Sequence, residues 1–118
     1  DGATPAHIAA QQGHTTALEL LVKADCDVNQ VERNGATPAF IAAQHDHTAA
    51  LKLLVKADCD VNQAAKSGDT PTYVAAQKGQ TAALELLVEA GCDVNRAVND
   101  GATPAYVAAL NGQTAALE

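Results

Sequence analysis

Residues 36–43 read ATPAFIAA, and close copies of this phrase stand at residues 3–10, 69–76 and 102–109, each thirty-three residues after the one before. A fixed period of this length is typical of a chain built from one supersecondary unit that is copied and stacked. The period divides the chain into units 1–33, 34–66 and 67–99 and a partial unit 100–118, and the first two units agree at 24 of 33 positions. We therefore predict one repeat array. Its broken end units suggest that it is a fragment of a longer one.

The repeated phrase predicts the first of two helices in each unit. Thr37 and Pro38 open it, because threonine is a good N-cap and proline suits the first helical position, where its missing N–H costs nothing. Alanine-rich sequence follows, which favours a helix and allows a neighbouring helix to approach closely. The helix should end at a residue with left-handed backbone. The candidates for this residue are Gly13, Asp46, Gly79 and Gly112.

The second helix is predicted from TAALKLLVKA at residues 48–57. Leu51, Leu54 and Val55 fall at i, i+3 and i+4, which gives an apolar stripe at helical spacing. The corresponding helices should end at Asp25, Asp58 and Gly91. About eight residues without a helical pattern follow, and they predict an extended turn before the next Thr-Pro pair.

Composition and charge argue against several classes of function. The chain of 118 residues is 47% hydrophobic, but it contains only two Tyr, one Phe and no Trp, which suits closely stacked small helices. Its net charge of −7 disfavours nucleic-acid binding, since such proteins normally carry a basic surplus. No apolar run approaches the roughly 18 residues of a membrane span, and the first residues lack the pattern of a signal peptide.

TPAHIAAQQGH at residues 4–14 and LVEAGCDVN at residues 87–95 resemble the ankyrin repeat family, and the resemblance covers the whole chain. It implies an all-α fold, a right-handed α-solenoid of helix-turn-helix repeats with β-turn or hairpin fingers. Stacking buries the apolar face of each unit against the next, so Leu51, Leu54 and Leu87 should be buried. Among the departures, Gln80 and Gln113 stand where the family has histidine. We therefore expect the stacking, but not every histidine hydrogen bond of the family.

Several residues are candidate sites of chemistry. Cys26, Cys59 and Cys92 recur once per unit, and layers about 8–10 Å apart are too distant for the roughly 7 Å between Cα atoms that a disulfide allows. Free, small, buried thiols in a reducing compartment are the favoured interpretation. His45 and His47 flank Asp46 on a short turn, but no ligand cluster completes a metal site there.

The remaining candidates also fit the repeat pattern. Tyr73 and Tyr106 suit packing between units better than a stacking platform for a ligand. Asn29, Asn62 and Asn95 suit a turn held by the side-chain amide, although such asparagines can be hydroxylated in the family. No nucleophile, base and orienting group interrupt the pattern, so we expect no enzyme, no cofactor and no metal.

The resemblance places partner contacts on the fingers and on the inner face of the first helices. By position in the unit, the candidate binding residues are Gln11, Gln12, Arg33, Asn34, Gln44, His45, Lys66, Ser67, Asp69, Gln77, Lys78, Asn99, Asp100, Leu110 and Asn111. Three of the seven basic residues lie in this set, with His45 nearby. This favours a mildly positive patch that suits an acidic segment of a partner protein, offset towards the C-terminal side by Asp69 and Asp100.

The sequence thus predicts a non-catalytic scaffold that binds another protein through its concave face. The repeated glutamines keep open a second interpretation, a structural spacer within a long array, and a regulatory segment of a larger enzyme is a third. The free thiols favour an intracellular, cytoplasmic location. We also expect Val107, Leu110 and Leu117 to be poorly covered in a lone monomer, which favours end-to-end stacking of copies.

Overall fold

A computed structural model of the chain describes residues 2–93, 95 and 101–112. These residues form seven α-helices and, within the described ranges, no strand. The first helices of the units are α1 (Pro5–Gln12), α3 (Pro38–Gln44), α5 (Pro71–Gln77) and α7 (Pro104–Leu110). The second helices are α2 (Thr15–Lys23), α4 (Thr48–Lys56) and α6 (Thr81–Glu89). The all-helical repeat fold predicted from the sequence is confirmed.

Each first helix begins as the Thr-Pro pair predicts. Thr37 has extended backbone, and its hydroxyl accepts a hydrogen bond of 3.1 Å from the backbone N–H of Phe40. The equivalent threonines of the other three units make the same contact. A side-chain acceptor at this position satisfies an N–H group that the helix itself leaves without a partner.

The helices end in left-handed backbone at the predicted residues. Asp46 has a φ of 56°, and Asp25 and Asp58 have φ values of 63° and 62°. At Gly13, φ is 70°, and an added Cβ would lie 2.8 Å from Nδ1 of His47 in the next unit. Glycine therefore suits that position both for its backbone and for the approach of the His47 ring, although Asp46 takes the same backbone one unit later.

The core is shared between successive layers. First helices pack on first helices in the order α1, α3, α5 and α7, and second helices pack in the order α2, α4 and α6. Leu51, Leu54 and Leu87 are fully buried, as predicted, and alanines fill the first-helix layer between units. The result is an elongated stack of 39 × 26 × 21 Å in which each unit covers the apolar face of its neighbour.

A side-chain hydrogen bond links the second and third units to the end of the preceding first helix. Nε2 of His47 donates to the carbonyl of Gln11 at 3.0 Å. Nε2 of Gln80, at the same position one unit later, donates to the carbonyl of Gln44 at 3.2 Å. Glutamine therefore makes the same link as histidine, which the sequence comparison did not lead us to expect.

His7 makes a second kind of link. Its Nε2 donates to the carbonyl of Ala36 in the next unit at 2.8 Å. Its Nδ1 lies 3.1 Å from the backbone nitrogen and 2.8 Å from the hydroxyl of Thr4, so both can donate to it. This buried imidazole joins the N-cap of α1 to the following layer.

The asparagines form a ladder along a third edge. Oδ1 of Asn29 accepts from the backbone N–H of Asp60 at 2.7 Å, and Oδ1 of Asn62 accepts from that of Asp93 at 2.8 Å. The backbone N–H of Asn62 in turn donates to the Asp60 carboxylate at 2.9 Å. The asparagine side-chain oxygen therefore links two units, while within the turn the aspartate carboxylate accepts from the asparagine N–H. A turn held by the asparagine's own side-chain amide stays a prediction.

The shared core predicts which leucines matter for stability. Leu51→Ala should lower the free energy of unfolding by about 2–5 kcal/mol, because it removes buried methyl groups and leaves a cavity between layers. Leu110→Ala, at a side chain that is 68% exposed, should change it by less than about 0.5 kcal/mol. Urea unfolding followed by circular dichroism measures both, and equal losses in the two variants would contradict the shared core.

The link from His47 gives a second stability test. His47→Ala should cost about 1 kcal/mol, since the Gln11 carbonyl loses its donor, whereas His47→Gln should cost much less, because Gln80 makes this bond in the next unit. The same urea titrations compare the two variants. If His47→Gln is as destabilising as His47→Ala, glutamine does not replace the imidazole donor at this position.

Candidate functional site

The turn between the first two units forms a finger. The backbone N–H of Glu32 donates to the carbonyl of Ala36 at 3.0 Å, and that of Gly35 donates to the carbonyl of Glu32 at 2.8 Å. These two bonds close a tight hairpin turn with Arg33 and Asn34 at its tip. The hairpin finger implied by the family resemblance is therefore present without a strand at these residues.

The next finger repeats this arrangement and contacts the first. Its closing bonds run from Ala65 to the carbonyl of Asp69 at 2.8 Å and from Gly68 to the carbonyl of Ala65 at 2.9 Å. Lys66 lies at its tip and donates its backbone N–H to the carbonyl of Asn34 at 2.8 Å. A Cβ on Gly35 would lie 2.8 Å from the Lys66 nitrogen, so the close approach of the two fingers depends on glycine.

The ends of the first helices form the rest of the candidate surface. Most of the predicted residues there are exposed, and Gln44 is half-buried. A surface groove of about 530 Å³ lies between the first two units. It is lined by the predicted residues Gln11, Gln44 and His45, and also by His7, Ile8, Ile41, Glu32 and Ala3.

The groove brings a finger and two helices together. Sequence analysis missed Glu32, Ile8 and Ile41 as groove residues, because their positions in the repeat indicated a turn and a core. Glu32 could have been predicted as a groove residue from its position directly before the Arg33-Asn34 tip, opposite the start of the next first helix.

Three other predicted residues differ from the rest of the candidate surface. Asn99 and Asp100 lie outside the residues that the structure describes. Asn111 is exposed, but its side-chain nitrogen also donates to the carbonyl of Ala76 at 2.8 Å. Asn111 therefore contributes to the stack as well as to the candidate surface.

The candidate surface carries three basic side chains. Arg33, Lys66 and Lys78 are exposed, and within residues 2–93, 95 and 101–112 none of them forms an ion pair. The ion pair seen in these ranges joins Lys23 and Glu19 on α2, with 3.6 Å between Nζ and Oε1. Asp69 is half-buried beside the second fingertip and reduces the local positive charge there.

Tyr73 and Tyr106 differ in exposure although they share one position in the unit. Tyr73 is only 8% exposed, as expected for packing between units. Tyr106 is 61% exposed, because no layer follows α7 in the described part of the chain. The rings of His45 and His47 lie 6.0 Å apart, and the described residues contain no group of three potential metal ligands.

The three cysteines are half-buried free thiols. Burial raises the pKa of Cys59 to about 11, and the carboxylates of Asp60 and Asp58 add to this rise. Burial also raises the pKa of Cys26, where Asp27 adds to the rise. It raises the pKa of Cys92 as well, where the Thr72 side chain partly offsets the rise and Asp93 adds a smaller increase. Thiols that stay protonated near neutral pH are poor nucleophiles, which supports a packing role.

Comparison with known proteins agrees with the structure. A family model described as ankyrin repeats (3 copies) matches residues 1–65 and 57–118. No curated protein matches the sequence significantly. Ankyrin repeats are generally protein–protein interaction modules and are typically non-catalytic. Of the helices in the described residues, none is long and apolar enough to cross a membrane.

The raised pKa predicts slow alkylation of Cys59. At pH 8 the folded chain should react with iodoacetamide at this residue about one to two orders of magnitude more slowly than the chain unfolded in urea, because fewer molecules carry the thiolate. The rate should increase as the pH rises towards about 11. Mass spectrometry of quenched samples follows the modification. Equal rates in the folded and unfolded chains at pH 8 would contradict the effect of burial.

Proposed function

Because the chain belongs to the ankyrin repeat family, we propose that it binds another protein through its fingertips and the adjoining ends of its first helices. The observation that supports this most is that the residues which hold the layers together are not the residues exposed at the fingertips. The layers are held by buried leucines and by links such as those of His47 and Asn29, whereas the tips carry the exposed side chains of Arg33 and Lys66. These exposed side chains are free to contact a partner.

The backbone of this surface is fixed in position. The bond from Lys66 to Asn34 holds neighbouring tips together, and each tip is closed by its own hairpin bonds. The N–H of Ala36 also donates to Oδ1 of Asn34 at 3.0 Å, which stabilises the first tip. A pre-organised surface loses little conformational freedom on binding, so its contacts contribute more to affinity.

The charges of the surface favour an acidic segment as the ligand. Arg33 and Lys66 lie on adjacent tips, and Lys78 follows the end of α5, where it caps the first helix of the third unit. The three side chains are exposed and form no ion pair in the described ranges, on a chain whose net charge is −7. A carboxylate-rich segment would gain complementary contacts here, while the rest of the acidic surface would repel it from other orientations.

Leu110 adds an apolar contact at one end of this surface. It stands at the position that Gln11, Gln44 and Gln77 occupy in the other units, and it is 68% exposed. We include it as a contact for one apolar side chain of the partner segment. The three glutamines are the observation that favours the spacer interpretation, in which this face binds nothing.

The charge proposal can be tested with a display library of random peptides. The wild-type chain should enrich peptides rich in Asp and Glu, and Lys66→Glu with Lys78→Glu should weaken a selected peptide by about tenfold or more, as measured by fluorescence anisotropy. Because the contacts are exposed, raising the salt concentration should weaken the wild-type complex as well.

A matched control separates local from overall charge. Lys52→Glu with Lys56→Glu makes the same change in net charge on exposed residues of α4, and it should leave affinity within about twofold. Equal weakening by both pairs would show a general charge effect and overturn the acidic-segment proposal. The spacer interpretation is favoured if two results coincide. The library yields no enriched peptide, and the wild-type chain captures the same proteins as the Lys66→Glu, Lys78→Glu variant.

A further inference from the structure

The groove between the first two units contains a carboxylate with no cationic partner in the described part of the chain. Glu32 is half-buried, and it is the one carboxylate among the described residues that line this groove. Arg33 follows it in the chain, but within residues 2–93, 95 and 101–112 the two side chains form no ion pair. A half-buried carboxylate gains from a positively charged group that can also donate hydrogen bonds to it.

The other ionisable side chains of the groove are imidazoles, and they leave the Glu32 carboxylate unpaired. The ring of His7 is buried, and both of its nitrogens are engaged in hydrogen bonds within the first two units. His45 is exposed, and its ring stacks on that of His47. Among the residues that the structure describes, neither groove imidazole forms an ion pair with Glu32.

The groove also offers apolar surface and amide groups. Ile41, which is 7% exposed, contributes apolar surface, and Gln11 and Gln44 contribute amides from the ends of two first helices. An arginine side chain matches this combination, because its methylene stem packs on apolar surface while its planar guanidinium donates to carboxylate and amide oxygens. Lysine has a single ammonium group and cannot donate the two parallel hydrogen bonds that a carboxylate accepts from a guanidinium.

The corresponding place between the second and third units differs in charge. Ala65 stands one unit after Glu32, and Lys78 stands one unit after His45. Lys66 at the nearby fingertip adds a further positive charge. The candidate surface therefore becomes more basic along the array, so a bound segment with opposite charges at its two ends has one preferred direction.

We propose that the groove between the first two units receives an arginine side chain of the partner segment. Its guanidinium pairs with the Glu32 carboxylate, while acidic residues of the same segment contact Lys66 and Lys78. An entirely acidic segment would bring like charge towards Glu32, which costs affinity. The inference rests on the proposed function, because it concerns the same segment and surface, and it adds one required residue and the direction in which the segment lies.

A peptide library with a fixed block of aspartates, flanked on both sides by random residues, tests the inference. The wild-type chain should enrich arginine at one position on one side of the block, and Glu32→Gln should lose that preference. In a selected peptide, citrulline in place of the arginine keeps the shape and removes the charge. This change should weaken binding to the wild type by about tenfold and to Glu32→Gln by less than about twofold, as measured by fluorescence anisotropy.

A matched variant and a fold check control for indirect effects. Glu89→Gln makes the same change in net charge on an exposed residue of α6, and it should leave the loss caused by citrulline at about tenfold. Glutamine has nearly the shape of glutamate, and the backbone of Glu32 closes the finger, so circular dichroism should show unchanged helicity in Glu32→Gln.

The outcomes separate this inference from the proposed function. If the selected peptides bind through their aspartates without a preference for arginine, the inference is wrong and the proposed function stands. Equal losses from citrulline in the wild type and in Glu32→Gln have the same meaning. If the wild-type chain retains no peptide more strongly than the Lys66→Glu, Lys78→Glu variant does, the proposed function fails and the inference fails with it.

Discussion

The structure depends on the fact that a single unit cannot bury its own apolar side. A pair of helices of seven to nine residues has one apolar side too large for the pair to bury alone. The neighbouring pair covers it, and Leu51, Leu54, Leu84 and Leu87 reach complete burial in this way. Stability is therefore a property of the contacts between units. Alanine in the first helices has the complementary role, because a small side chain lets adjacent layers approach closely.

Hydrophobic cover sets the spacing of the layers but does not fix their rotation, and hydrogen bonds at separate edges supply that constraint. His47 and Gln80 hold the ends of first helices, Asn29 and Asn62 hold the turns after second helices, and Lys66 holds the fingers. Each bond joins groups thirty-one to thirty-six residues apart in the chain. At the ends of the first helices the link is a single hydrogen bond from a side-chain nitrogen, so histidine can be replaced by glutamine as long as the donor stays in place.

Features set by neighbouring residues in the chain could be predicted from the sequence, whereas links between units could not. Thr-Pro starts, left-handed ends and the leucine stripe act within a few residues, so their local rules identified every described helix to within a residue or two. The equivalence of Gln80 with His47 depends on how far each side chain reaches across a layer, and the second role of Asn111 depends on a carbonyl thirty-five residues away. Tyr73 and Tyr106 share one position in the unit but differ in burial, because burial is set by the neighbouring layer and not by the unit itself.

The candidate surface also depends on contacts between units. Its groove joins Glu32 of a finger to Gln11 and Gln44 of two helices, so no single unit contains it and no motif within a unit predicts it. The finger that contributes Glu32 is nevertheless held by backbone contacts, namely its own closing bonds and the bond between Lys66 and Asn34 with the close approach at Gly35. Because backbone groups make these contacts, the side chains at Arg33 and Lys66 can change without loss of the scaffold. The array thus keeps the backbone geometry of the candidate surface constant while its side chains are free to vary from unit to unit.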